Sequence, residues 1–198
     1  GYVRGGDQAR SIGLHLSTTL QEIGKQGGVI KEYEEWAENV AIRMSVGLAW
    51  EEWLVQRIPS ISGTYWQPGE MSVATGRHKL YMTPDGYTER VKWEGGGKEN
   101  GKTCSTLEEC KATWKSARRD IGEEWYWLNQ VKGYCHALEL SRARLWVLHL
   151  NGRYEKGIIG DPIQMCHWIE WDKYDLDAYW RMVCAHITDR KIKECNEK

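Results

Sequence analysis

The chain has 198 residues, with 27 Lys and Arg against 28 Asp and Glu, a formal net charge of −1. That length suits a single domain with a substantial core, and 28% charged beside 41% hydrophobic residues excludes an extended disordered chain. The lack of net positive charge argues against a simple nucleic-acid-coating protein, but it leaves room for an acidic metal site offset by a local basic patch. No apolar run approaches the roughly 20 residues that span a bilayer, so no membrane is expected. The polar segment Gly1–Arg10 lacks the apolar stretch of a signal peptide. Cys104, Cys110, Cys135, Cys166, Cys184 and Cys195 form no CxxC pair. A zinc ribbon is therefore disfavoured, and free, mostly buried thiols are expected. Phe is absent while Trp occurs twelve times, so Trp takes the role of large core aromatic.

In chain order, the first element is a short helix with Ser17 as candidate N-cap. It carries Leu20 and Ile23 and ends at Gly27-Gly28. His15, without a motif partner, reads as a packed or capping histidine, a functional role being the alternative. Residues 31–58 predict a long helix: Tyr33, Trp36, Val40, Met44, Leu48 and Glu51 recur at steps of three and four, and Pro59 ends it. Gly47 inside that helix is costly by propensity, which points to close packing.

A strand-rich region follows. Met71–Ala74, Lys79–Met82 and Tyr87–Trp93 read as strands joined by tight turns at Gly76 and at Pro84-Asp85-Gly86. Glu94–Lys102 holds Gly95-Gly96-Gly97 and reads as a loop or hairpin tip; it lacks the Lys-Ser/Thr ending of a phosphate loop. From Thr103 to Thr113 alternation places Leu107, Glu109 and Lys111 on one face and Glu108, Cys110 and Ala112 on the other. A helix through Leu107–Arg119 is the competing reading, and it would separate Glu109 from Lys111. Next come a helix over Glu123–Leu140, with Trp127, Val131, Tyr134 and Leu138 on one stripe, and a buried strand, Arg144–Leu150, closed by an Asn151-Gly152 turn. A strand over Gln164–Trp171, a helix over Asp175–Ile187 and a charged, frayed tail at 189–198 complete the chain. Helices flanking a central mixed sheet are the most economical packing of this order. The expectation is one α/β (α+β) domain over 1–198, with its core at about 31–190.

The order of the polar residues carries the functional expectation. A helical Glu51 comes first, then Pro84-Asp85 at a strand end, Glu109-Cys110-Lys111 on a strand, and Gln130 and Tyr134 one turn apart on a helix. Carboxylates converging on one point repel unless a cation joins them, and hard oxygen ligands suit Mg2+ or Mn2+. Gly47 to Glu51, Pro84-Asp85, Glu109-x-Lys111 and Gln130-x-x-x-Tyr134 together resemble the PD-(D/E)XK nucleases, in the RecB-like and phage-exonuclease branch. The likeness covers about Arg43 to Leu150. It departs from the family in the long interval between Asp85 and Glu109, which makes Gly95–Gly101 an insertion.

The resemblance implies a restriction-endonuclease-like core and Mg2+-dependent hydrolysis of DNA phosphodiesters, as by an exonuclease in recombination or repair. It implies Asp85, Glu109 and Lys111 as catalytic residues. Glu51, Asp85, Glu109 and the Cys110 backbone carbonyl would hold the metal, with Lys111 stabilising charge rather than acting as a base. Gln130 and Tyr134 would support the catalytic strand or contact nucleic acid, and Lys115, Arg118 and Arg119 would hold backbone phosphates, a solvated charged face being the alternative. Gly47 would allow DNA to approach. Trp66 and Trp114 are candidates for stacking on bases, core packing being the alternative. No iron–sulfur cluster is expected, because no cysteine precedes Cys104. The expected compartment is a bacterial or phage-infected cytoplasm, and the expected partners are DNA, a homo-oligomer or a recombination or replication protein. Two other readings stand beside this one: a DNA-binding protein of the same fold without catalysis, and a Trp-rich ligand-binding or interaction domain with an accidental acidic pattern.

Overall fold

The structure is a computed structural model that describes residues 13–30, 37–57, 64–66, 69–76, 78–89, 105–154 and 158–196. Among these, the element order is β1 (Leu14–His15), α1 (Leu16–Gln26), α2 (Ala37–Arg57), β2 (Thr64–Trp66), β3 (Met71–Thr75), β4 (His78–Met82), β5 (Gly86–Glu89), β6 (Ser105–Thr113), α3 (Trp125–Ala137), β7 (Arg142–His149), β8 (Ile163–Glu170) and α4 (Lys173–Asn196). The fold is mixed α/β, as the sequence pattern predicts. Its strands fall into two sheets, ordered β1-β4-β3 and β2-β5-β6-β7-β8. In the larger sheet β6 and β7 run parallel, with α3 as the crossover between them, and the other pairs are antiparallel.

Alternation along β6 and β7 sorts side chains onto the two faces of this sheet. Leu107, Ala143, Leu145 and Val147 join Val131, Tyr134 and Cys135 of α3, Leu16 and Leu20 of α1, and Val183 and Ile187 of α4 in the main core. Cys110, Ala112, Trp146 and Leu148 point the other way and pack against Trp50 and Leu54 of α2. The sheet is therefore covered on both faces. The main core also reaches back to α1, N-terminal of the 31–190 span.

Several local expectations are corrected. Ser17 lies inside α1, whose N-cap is His15 with no side-chain cap hydrogen bond. His15 instead packs near Tyr81 and stands 3.7 Å from Glu70. On α2, Met44 and Leu48 are 62% and 57% exposed, while Trp50 and Leu54 face the sheet. The helix carries two apolar stripes, and periodicity alone does not say which one meets the sheet. A side chain at Gly47 would meet open space, so close packing does not explain that glycine. Pro84-Asp85-Gly86 is not a hairpin turn: β4 and β5 belong to different sheets. Gly76, at φ 64°, does turn the β3–β4 hairpin. The helical alternative for Leu107–Arg119 is excluded, since β6 runs unbroken to Thr113. The segment after Asp189 is helical as far as Asn196, not frayed. Tyr33, Trp36, Pro59, Cys104, Arg90–Trp93 and the Gly95–Gly101 stretch lie outside the described residues. Among those described, Cys110, Cys135, Cys166 and Cys184 are free, and no helix is long and apolar enough to cross a membrane.

Leu20 is fully buried in the main core. Leu20→Ala is expected to lower unfolding stability by about 2–5 kcal/mol, read from urea denaturation. A loss below about 1 kcal/mol would mean that α1 docks only loosely.

Candidate active site

β5 pairs with β6 only over Gly86–Glu89 against Ser105–Glu108. Beyond Glu108, β6 keeps β7 on one side, and the ladder with β5 has ended. Asp85 sits at that point of divergence. Its Oδ2 accepts a hydrogen bond from the Cys110 N–H at 2.7 Å, and its own N–H points to Glu109 Oε2 at 3.5 Å. The Asp85 side chain thus takes the ladder position that β5 leaves empty. A residue's carbonyl leaves a strand on the same side as its N–H, so the Cys110 carbonyl also opens onto the Asp85 edge.

Glu109 and Lys111 share a face, as alternation requires, and Lys111 Nζ donates to Glu109 Oε1 at 2.6 Å. Glu109 is 1% exposed. Burial first, then the charge of Glu109, raises the Asp85 carboxyl from 3.8 to about 7, against the pull of Lys111 and the Cys110 N–H. Glu109 is also raised, by burial and, to a smaller degree, by the charge of Glu51; Lys111 and the Asp85 N–H oppose the shift. Burial works against the Lys111 ammonium, but Glu109 and Asp85 outweigh it and push its pKa up. Lys111 is therefore held in its protonated form. Asp85, Glu109 and Lys111 thus meet in one buried acidic pocket.

Tyr134 lies against this pocket. Its hydroxyl accepts a hydrogen bond from Gln130 Nε2 at 2.7 Å. Burial, followed by the charges of Glu109 and Asp85, raises its pKa well above the usual range, so it remains a phenol. The helical spacing of Gln130 and Tyr134 thus yields a real contact beside the carboxylates. Glu51, half-buried on α2, is near enough for its charge to act on Glu109.

The basic residues are less committed to the site. Lys115 pairs with Glu124 at 2.5 Å and stands over the Trp127 ring. Arg119 bonds Glu123 through two nitrogens at 2.9 and 3.2 Å, and Arg118 is exposed. The exposed Arg119–Glu123 pair is weak and leaves that cation able to exchange partners, whereas the Lys115 partner, Glu124, is buried. Trp114 is half-buried beneath Arg43, and the Trp66 side chain lies outside the described residues. Sequence patterning missed two features. Tyr126 is close enough to influence Lys111, and Glu108 is paired with Arg144 on the opposite face of β6. Neither belongs to a motif.

Among the described residues, no three His, Cys, Asp or Glu side chains form a ready-made metal cage. Asp85 and Glu109 are nonetheless a fitting donor set for Mg2+, which takes one or two carboxylates and fills its remaining positions with water and substrate oxygens.

No protein-family model and no curated protein matches this chain. A solved structure described as the crystal structure of SSO0001 superposes with a TM-score of 0.50 at 9% identity, over 89% of this chain and 77% of that one. At that identity the likeness shows the fold alone.

A carboxyl raised by burial binds more protons folded than unfolded, so it costs stability as pH rises from about 4 to 7. In metal-free protein Asp85→Asn is expected to gain about 1–3 kcal/mol at pH 8, shrinking toward pH 5. Urea unfolding in a chelator at both values checks this. An equal effect at the two pH values would contradict the raised carboxyl.

Proposed function

We propose that this chain is a divalent-metal-dependent deoxyribonuclease of the PD-(D/E)XK kind, acting on DNA ends in recombination or repair within the cytoplasm of a bacterium or phage-infected cell. The observation that carries this reading is the meeting of Asp85, Glu109 and Lys111 where β5 leaves β6. The order of Glu51, Gln130 and Tyr134 around them supports it.

In this reading Asp85, Glu109 and the Cys110 carbonyl hold Mg2+ or Mn2+, with Glu51 adding negative charge nearby. The bound ion would polarise the scissile phosphate and lower the pKa of a coordinated water. Lys111, kept protonated by the two carboxylates, places a fixed positive charge where negative charge builds on phosphorus. The Glu109 contact holds its ammonium in place, so little reorganisation is needed. Gln130 and Tyr134, hydrogen-bonded to each other, stand beside the two carboxylates and would support the catalytic strand or contact nucleic acid. Lys115, Arg118 and Arg119, in the segment after β6, would supply cations for backbone phosphates, Lys115 and Arg119 by exchanging Glu124 and Glu123 for phosphate.

With linear duplex DNA and Mg2+, the parent protein is expected to release nucleotides, and EDTA to abolish the release. Glu109→Ala and Lys111→Ala are each expected to lose at least about 100-fold in rate, with the folded far-UV spectrum kept. Unchanged cleavage in both variants would refute the assignment. Tight DNA binding by the parent without cleavage under Mg2+ or Mn2+ would favour a non-catalytic binding protein.

A further inference from the structure

Asp85 reaches Glu109 only if β5 pairs with β6 in the register seen here. A slip of one residue would turn its side chain to the other face of the sheet. The strands themselves specify this register weakly. Among the described residues β5 covers four positions and its outer neighbour β2 three.

On the face away from Glu109, one carboxylate ties three strands together. Glu108 of β6 is fully buried. Thr88 of β5 donates its hydroxyl to Glu108 Oε1 at 2.9 Å. Arg144, directly opposite Glu108 on β7, donates Nε to both carboxylate oxygens at 2.8 and 3.0 Å and adds Nη2. The Trp146 indole N–H completes the set at 2.8 Å. The Arg144 guanidinium stands over the rings of Trp146 and Trp168, with centroids at 5.7 and 5.2 Å. A buried ion pair seldom out-stabilises apolar residues of the same volume, and its best-attested use is to fix register. A shifted β5 would take the Thr88 hydroxyl away from its bond with Glu108 Oε1, while Arg144 and Trp146 keep the carboxylate in place, which disfavours the shift.

We propose that Glu108 is a positioning residue: clamped by Arg144 and Trp146, it holds β5 through Thr88 and so delivers Asp85 to Glu109. Its value for catalysis rests on the nuclease reading; the geometric claim does not. Thr88→Val removes the hydroxyl at nearly constant volume, and Thr88→Ser keeps it. Two probes read the result: amide hydrogen exchange at Cys110 in metal-free protein, whose N–H is held by Asp85, and Mn2+ affinity by calorimetry.

Thr88→Val is expected to stay folded, to exchange the Cys110 amide about tenfold faster or more, and to bind Mn2+ more weakly. Amides of the β7–β8 ladder keep their rates, and Thr88→Ser restores both signals. Unchanged Cys110 exchange in Thr88→Val, or an acceleration shared equally by β7–β8, overturns the proposal. If the parent binds no Mn2+, the nuclease reading fails, and the exchange measurement still decides the positioning role.

Discussion

The candidate site depends on where one short strand stops pairing. β5 and β6 separate after Gly86 and Glu108, and the Cys110 N–H that β5 leaves behind is taken up by the Asp85 carboxylate at 2.7 Å. That hydrogen bond brings a second carboxylate against Glu109 in the interior of the protein. A buried backbone N–H needs an acceptor, so the placement of Asp85 satisfies the strand as well as building the site. The raised pKa of Asp85 follows from that burial beside Glu109, while Lys111 and Tyr134 reach the same place through their own spacing on β6 and α3.

Adjacent residues of β6 show two ways of burying a carboxylate. Glu108 is surrounded by donors from the strands on either side of it, and its hydrogen bonds to them make it a structural tie. Glu109, one residue on and facing the other way, has the Lys111 ammonium, the distant Asp85 N–H and two acidic neighbours. It is a carboxylate short of positive charge. A buried titratable group in that state, beside a specific charge partner, is a candidate functional group.

The parts of this arrangement that follow from local periodicity were legible in the sequence. Period-two alternation places Glu109 and Lys111 together, and the structure keeps them on one face at 2.6 Å. Four-residue spacing puts Gln130 beside Tyr134, and Asn151-Gly152 closes β7 with Gly152 at φ 56°. What depends on pairing between distant segments was not legible. Pro84-Asp85-Gly86 has the composition of a hairpin turn, yet the chain there crosses between two sheets. α2 offers two apolar stripes, and the choice of Trp50 and Leu54 over Met44 and Leu48 is made by the surface of β6 and β7. The Glu108–Arg144 pair needs the parallel β6–β7 register, which no motif encodes.

The central claim is that Asp85 and Glu109 form one cation site rather than two buried carboxyls that happen to be adjacent. Anomalous diffraction from crystals of the protein soaked in Mn2+ tests it most directly. The account predicts a single strong peak within about 2.1–2.3 Å of both an Asp85 and a Glu109 oxygen, with the Cys110 carbonyl facing it. Manganese bound elsewhere, with these two carboxylates bare at saturating ion, would contradict the account.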